Sequence, residues 1–305
     1  VATCIGDFDS SKFRQIGADY THWNISKTGL NPLRDLRAII ELIRIVRDKR
    51  PNIIFMHTAK PVIYGSIVSK LAGVPRRVAL IPGLGHAFMP TKTLRHLFTR
   101  LVAIAGYRIA LSQVSAVIFQ NPDDLADMRE LGALPPQLSA YRVFGSGVDT
   151  QQFSEAPLPA GPPHFLMLSR LLGDKGVREF VEAAKIVRAN FPEVRFSLVG
   201  PLDSNPSALT NDDLDCWRAE GVVEIHGHTT DARHWLALCS VFVLPSYREG
   251  TPRATLEAMS VGRAIITTDV PGCRETVKQG INGLLVPPRN VEALAAAMIE
   301  LARDS

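Results

Sequence analysis

Two carboxylates and two cations occupy places where a parallel α/β sheet would bind an anionic, hydroxyl-rich ligand. Residues 245–262 read Pro-Ser-Tyr-Arg-Glu-Gly-Thr-Pro-Arg-Ala-Thr-Leu-Glu-Ala-Met-Ser-Val-Gly. The pattern predicts a strand ending at Leu244, a loop carrying Glu249 and Gly250, and a helix opened by Thr251 and Pro252. A helix start presents free N–H groups and a positive dipole end, which together seat phosphate. Gly250 lets the backbone come close to a ligand. Glu249 precedes the helix, and Glu257 is expected about two turns into it. One carboxylate can accept from two hydroxyls at once, which is what a ribose or hexose offers. Taken alone, an acid complementing the dipole and a solvated helix glutamate would explain the pair.

The second element is Leu168-Ser-Arg-Leu-Leu-Gly-Asp-Lys-Gly176. It reads as a strand-to-helix turn, with Arg170 and Lys175 at the carboxyl edge of a parallel sheet, where such sheets bind ligands. Arginine grips diphosphate oxygens bidentately and lysine supplies a point charge. An exposed loop with two cations explains the same residues in isolation. Both elements on one sheet edge favour a diphosphate site.

The elements that must hold these residues are legible as short apolar strands alternating with amphipathic helices. In the first half, strands are expected at 19–23, 52–56, 76–81 and 115–119. A helix spans 32–49, with Leu36, Ile39, Ile40, Ile43 and Val46 at helical spacing. In the second half, strands are expected at Phe165–Ser169, Arg195–Gly200, Val222–Ile225, Val241–Leu244, Ala264–Thr267 and Gly283–Val286. Apolar strands alternating with helices imply parallel sheets covered on both faces. The turn-rich 156–163, Ala-Pro-Leu-Pro-Ala-Gly-Pro-Pro, divides the two runs. The fold class is therefore α/β, two doubly wound domains over 1–150 and 151–305, with a cleft between them. No internal repeat supports a solenoid.

Composition narrows the classes further. The chain has 305 residues, 46% hydrophobic and 21% charged, which excludes disordered and fibrous proteins. No apolar run approaches the length of a membrane span. Cys4, Cys216, Cys239 and Cys273 form no CxxC pair, which fits reduced thiols in a cytoplasmic protein. His226 and His228 form an HxH pair without a third ligand nearby, so no metal site is expected.

Charge is divided unevenly along the chain. Residues 1–145 carry nineteen Lys and Arg against ten Asp and Glu, and residues 146–305 carry fifteen against twenty. Between Asp48 and Asp123 there is no acidic residue, while ten Lys and Arg occur. Such a face attracts anionic lipid, a diphosphate or nucleic acid, although a solvated basic surface needs no partner. Nucleic acid is disfavoured because no aromatic platform interleaves with the basic residues. The helix expected at 91–112 carries a stripe of Leu94, Leu97, Phe98, Leu101, Ile104 and Ala105, surrounded by Lys92, Arg95, Arg100 and Arg108. It suits a membrane interface, while the commoner fate of such a stripe is to face a core.

Together these motifs resemble the retaining GT-B glycosyltransferases of the GT4 family. Residues 169–176 resemble its phosphate-binding Arg and Lys turn, and 248–259 its Glu-x7-Glu signature. Gly145–Asp149, Thr268–Glu275 and Asn282–Pro287 are similar to further stretches of the family. In the first half, Gly29–Leu36, His57-Thr-Ala-Lys60 and Asn121-Pro-Asp-Asp124 resemble the branch that builds bacterial surface polysaccharides.

The resemblance implies transfer of a sugar, with retention, from a nucleotide-sugar, UDP-linked by family frequency, to a lipid-diphosphate-linked or glycan acceptor. Neither cofactor nor metal is expected, because fixed cations and a helix start would neutralise the departing diphosphate. Arg170 and Lys175 would hold that diphosphate. Glu249 would bond the transferred sugar, with Gly250, Thr251 and Pro252 lining its phosphate end. Glu257 would take the ribose, and Gly227 and His228 would lie beside the base. On the acceptor side the resemblance points to His57, Lys60, Gly83 and His86. The family commonly has a histidine where this chain has Pro82, with His86 four residues on. The family's first strand with its glycine-rich loop, and its C-terminal crossover helix, are expected to lie outside the sequence. The enzyme would be cytoplasmic, or peripheral on the cytoplasmic face of the membrane. An epimerase or phosphorylase of the same architecture, or a non-catalytic glycosyltransferase subunit, are the competing readings.

Overall fold

The computed structural model describes residues 10–26, 31–89, 93–203, 205 and 207–303, without the side chains at 10–12, 86 and 95. Cys4, Lys92, the Gly29 end of its stretch, and the His86 and Arg95 side chains thus lie outside the described residues. The chain divides into two compact units. One comprises Val1–Phe119 with Asp124–Arg142, the other Gln120–Asp123 with Val143–Ser305.

In the first unit the order is α1 (Ser10–Gln15), α2 (Pro32–Lys49), β1 (Ile53–His57), α3 (Ala59–Leu71), β2 (Arg76–Ile81), α4 (Leu94–Leu111), β3 (Ala116–Phe119), α5 (Pro122–Glu130) and β4 (Ser139–Arg142). All four strands are parallel, in the order β1-β2-β3-β4. The edge strand β4, Ser-Ala-Tyr-Arg, escaped the sequence reading because it is short, mixed in polarity and mostly exposed.

No strand forms at 19–23. Tyr20 makes only an isolated bridge, and Trp23 and Ile25 instead bury themselves against α2. Trp23 Nε1 donates to the Ala38 carbonyl at 2.8 Å, so the aromatic run anchors a helix rather than joining a sheet. The buried face of α2 is Asp35, Ala38, Leu42 and Val46, while Leu36 and Ile40 are exposed. The apolar arc of this helix is wider than the surface that covers it, so spacing alone put the core face about one residue off.

The largest departure is α4. Only Ile104 of its stripe packs on the core: Leu94 is 85% and Phe98 64% exposed, and Leu97 and Leu101 are exposed beside them. Burial is confined to the last turns, where Tyr107, Ala110 and Leu111 pack under β2 and β3 residues. Among the described residues no helix is long and apolar enough to cross a membrane.

The second unit runs β5 (His164–Leu168), α6 (Val177–Asn190), β6 (Arg195–Val199), α7 (Asn211–Glu220), β7 (Glu224–His226), α8 (Ala232–Leu238), β8 (Val241–Leu244), α9 (Arg253–Ser260), β9 (Ala264–Thr268), β10 (Gly283–Val286) and α10 (Val291–Arg303). Its sheet is all parallel, in the order β10-β9-β8-β5-β6-β7. Stacked Phe165 and Phe196, with Phe180 edge-on, fill its core. The 156–163 segment is pinned to this unit, because Arg263 donates to the carbonyls of Ala156 and Pro157 at 2.9 Å. From β5 the chain winds through β6 to β7, then returns to the other side for β8, β9 and β10. The winding therefore reverses between β5 and β8, and loops leaving the carboxyl ends of those two strands flank the switch point, where open α/β sheets bind ligands.

Candidate active site

Arg170 and Lys175 leave β5, and Glu249 leaves β8, so the two strands flanking the switch point supply the charged groups. After Leu168 the chain makes a turn through Gly173–Lys175 and reaches Gly176 at φ 76°, which opens α6. A Cβ at Gly176 would stand 2.2 Å from the Pro245 carbonyl oxygen. Only glycine lets the turn lie this close to the loop leaving β8. Lys175 Nζ pairs with Glu249 Oε1, and both side chains are largely buried. Ser246 Oγ donates to the same oxygen at 2.8 Å. Arg170 is half exposed and pairs with Asp203 Oδ2 at 2.7 Å.

The backbone of the Glu249 loop is held on three sides. Glu249 N–H donates to the Pro271 carbonyl at 3.0 Å. Asn121, fully buried, donates its side-chain amide to the carbonyl of Gly250 at 3.0 Å and, less closely, to that of Glu249. Thr251 Oγ1 donates to the Gln120 carbonyl at 3.1 Å. Gly272 lies against the loop with φ 80°, and a Cβ there would come within 2.4 Å of the Glu249 and Gly250 oxygens. Behind the carboxylate sits Cys273, fully buried, whose thiol burial pushes up to about 12.

Pro252 is the residue before the helix rather than its first member, and no side chain caps α9, which starts at Arg253. Glu257 is therefore one turn into α9, not two. It is buried and accepts from Arg253 Nε at 2.8 Å. Gly227 also sits at a strand exit: its carbonyl accepts from Gly200 N–H at 3.2 Å, which sets the loop leaving β7 beside the one leaving β6.

These loops enclose a cavity of about 460 Å³ lined by Arg170, Lys175, His228, Glu249, Pro252 and Arg253, with Ser169, Gly200 and Thr229 among its remaining walls. Five residues expected from sequence thus share one cavity. Gly227, Gly250, Thr251 and Glu257 adjoin it without lining it. Arg253, Asp203, Ser246 and Asn121 were not assigned from sequence. Arg253 stands four positions before Glu257, the spacing of a helical ion pair, whereas Asn121 heads the Asn-Pro-Asp-Asp stretch and its partners lie across space, where spacing gives no signal.

The acceptor-side expectations all fall in the first unit. His57 ends β1, and Thr58, at φ 74°, precedes α3. Such a backbone is strained for threonine and is commoner at functional sites. Lys60 is not a free cation: it bonds Asp35 Oδ1 and Ser26 Oγ, each at 2.8 Å, in a largely buried cluster. Tyr64 joins it, its phenol raised to about 12 by burial and by the Asp35 carboxylate. Gly83 lies in the loop after β2, and His86 opens a short 3-10 turn. Among the described residues, no group of three His, Cys, Asp or Glu could hold a metal ion.

Two all-parallel α/β units, with cations, carboxylates and an uncapped helix start gathered at one switch point, define a group-transfer enzyme of the GT-B type. The chain belongs to the GT4-like glycosyltransferases: a family described as "Glycosyl transferases group 1" matches residues 162–304, and one described as "Glycosyl transferase 4-like" matches 3–121. Over 97% of its length the chain is 28% identical to the N,N'-diacetylbacillosaminyl-diphospho-undecaprenol alpha-1,3-N-acetylgalactosaminyltransferase of Campylobacter jejuni, covering 79% of that protein. Over 89% it is 27% identical to the UDP-Gal:alpha-D-GlcNAc-diphosphoundecaprenol alpha-1,3-galactosyltransferase of Escherichia coli, covering 72% of it. Among solved structures, Anabaena HepE in complex with UDP and glucose has the same fold. Its TM-score is 0.74 at 20% identity, over 97% of this chain and 79% of that one.

Proposed function

We propose that this glycosyltransferase moves a sugar, with retention, from a UDP-linked donor to a lipid-diphosphate-linked or growing polysaccharide acceptor. The observation that carries the donor side is the Lys175–Glu249 pair at the switch point, in one cavity with Arg170. A donor diphosphate would replace the carboxylates now facing the two cations. As the bond from the sugar's anomeric carbon to the β-phosphate oxygen breaks, its electron pair stays on the diphosphate. Lys175, Arg170 and the open N–H groups of α9 stabilise that charge. Released from Lys175, Glu249 accepts from hydroxyls of the transferred hexose, and Glu257 accepts from the ribose. The acceptor hydroxyl adds to the same face of the sugar and gives up its proton to the departing diphosphate oxygen.

Each charge-assisted contact contributes about 1.5–3 kcal/mol. Lys175→Ala and Glu249→Ala should therefore each lower kcat/KM by roughly 10- to 150-fold. Unchanged rates in both variants, in a defined donor–acceptor assay, would remove the site assignment. Product analysis without acceptor separates the reading from an epimerase, which would still convert the donor.

The acceptor named for two relatives is diphosphate-linked to undecaprenol, and the exposed face of α4 favours a membrane contact here as well. Leu94, Leu97, Phe98 and Leu101 recur on one side of that helix, beside Arg100 and Arg108 and within the stretch free of acids. We read this face as lying in the headgroup region of an anionic bilayer. Phe98→Glu should then weaken sedimentation with anionic vesicles while leaving UDP binding intact, and equal sedimentation of both proteins would reject the contact.

A further inference from the structure

We propose that Arg253 is a third donor-binding cation that bridges the two ends of the nucleotide, holding Glu257 with one nitrogen and a diphosphate oxygen with the others. The inference rests on the reading of this cavity as a nucleotide-sugar site.

Arg253 is the first residue of α9. A cation there opposes the helix dipole, which favours anions at that end. Its side chain is 70% exposed yet lines the same cavity as Arg170 and Lys175. Those two cations are each matched to a carboxylate, Asp203 and Glu249. Arg253 uses only Nε, donating to Glu257 at 2.8 Å, and both terminal nitrogens are without a protein partner among the described residues. Glu257 in turn has Arg253 as its one protein partner among the described residues, although its side chain is only 9% exposed.

A buried carboxylate with a single partner retains lone pairs for incoming donors. Vicinal hydroxyls of a ribose supply such donors. A guanidinium fixed through Nε keeps its remaining fork free for an anion, which is the geometry that phosphate oxygens accept. The chemistry assigned to Arg253 is therefore binding and positioning: it sets the Glu257 carboxylate toward a sugar diol and reaches a phosphate itself. A lysine could supply the charge but could not serve both groups through one rigid plane.

Titration of UDP and of uridine into the wild type, Arg253→Ala, Arg253→Lys and Lys175→Ala tests this, with thermal melts to confirm folding. Arg253→Ala should weaken UDP at least about tenfold, the effect of one charge-assisted bond, and weaken uridine less. Arg253→Lys should recover part of the UDP affinity and none of the uridine affinity. In a Glu257→Gln background the loss caused by Arg253→Ala should shrink, since part of it runs through that carboxylate. In turnover assays the Arg253→Ala defect should appear mainly in the donor KM rather than kcat. Equal losses for UDP and uridine would overturn the phosphate contact. Wild-type UDP affinity in Arg253→Ala together with weakened binding in Lys175→Ala would remove Arg253 alone. Wild-type affinity in Lys175→Ala would instead remove the donor-site reading beneath it.

Discussion

At the scale of single residues, the Glu249 loop depends on groups that do not line the cavity. Gly272 is the sharpest example, because its missing side chain is what allows the Glu249 loop to lie where it does. Gly272→Ala would place a methyl against two carbonyl oxygens at a left-handed backbone position, which by itself costs about 1–2 kcal/mol. The loop must move to relieve the contact, and a displacement near 1 Å at a reacting centre can cost about 100-fold. We expect kcat/KM to fall by that order while the melting temperature drops by only a few degrees, read from kinetics and thermal melts on the same preparation. A wild-type kcat/KM would mean that the Glu249 loop tolerates the shift. Arg170, Lys175, Glu249 and Glu257 were visible in sequence because two charged motifs fall on one sheet edge and together resemble a known family, although neither motif is decisive alone. Gly272, Asn121 and Ser246 were not, since a glycine, an amide and a hydroxyl are ordinary until a structure shows what they touch.

At the scale of elements, α7 shows how a helix start away from the cavity holds the second unit together. Thr210 caps α7 and Asp213 reaches back to the Thr210 N–H, forming a reciprocal capping box. Arg178 from α6 adds two bonds to the same carboxylate, at 2.7 and 2.9 Å. The Arg178 guanidinium first, and then the Thr210 N–H, lower the Asp213 carboxyl to about 2. A carboxyl depressed on folding stabilises the native state above its unfolded value, about 3.9, and that contribution is lost as pH falls from there toward 2. Asp213→Ala should cost about 1 kcal/mol at neutral pH, the worth of a cap, and its stability should decline less steeply than the wild type below pH 4. Chemical denaturation at several pH values checks both, and parallel acid limbs would contradict the cap's role. The strands of the second unit were nearly all readable, because strands buried on both faces are continuous apolar runs. The failures lie in the first unit: the aromatic run at 19–23 has the residues of a strand, and α4 has the stripe of a core helix. Periodicity reports that an apolar face exists, not what covers it.

At the scale of the whole molecule, the division of charge along the sequence bears on where the enzyme works. The acid-free stretch from Lys49 to Pro122 falls mostly in the first unit, and the excess of acids in the half that carries the switch-point cavity. If the α4 face meets an anionic bilayer, the electrostatic part of that attraction is screened with a Debye length near 10 Å at 0.1 M salt. Vesicle binding should therefore weaken as salt rises and fall further when anionic lipid is replaced by neutral lipid, both followed by sedimentation. Binding indifferent to salt would assign the attraction to the apolar stripe alone. The two-sheet class was legible from alternation, whereas the reversal of winding between β5 and β8 was not, since strand order is a property of pairing in space. That reversal has a kinetic side. Lys175 and Glu249 are 74 positions apart, and they meet only once β8 has come back to pair with β5 across everything synthesised between them. Closing so long a loop is entropically slow compared with forming any single helix or turn. The charged pair is thus among the late contacts of the second unit, so a chain can hold most of its helices and strands while Lys175 and Glu249 are still apart.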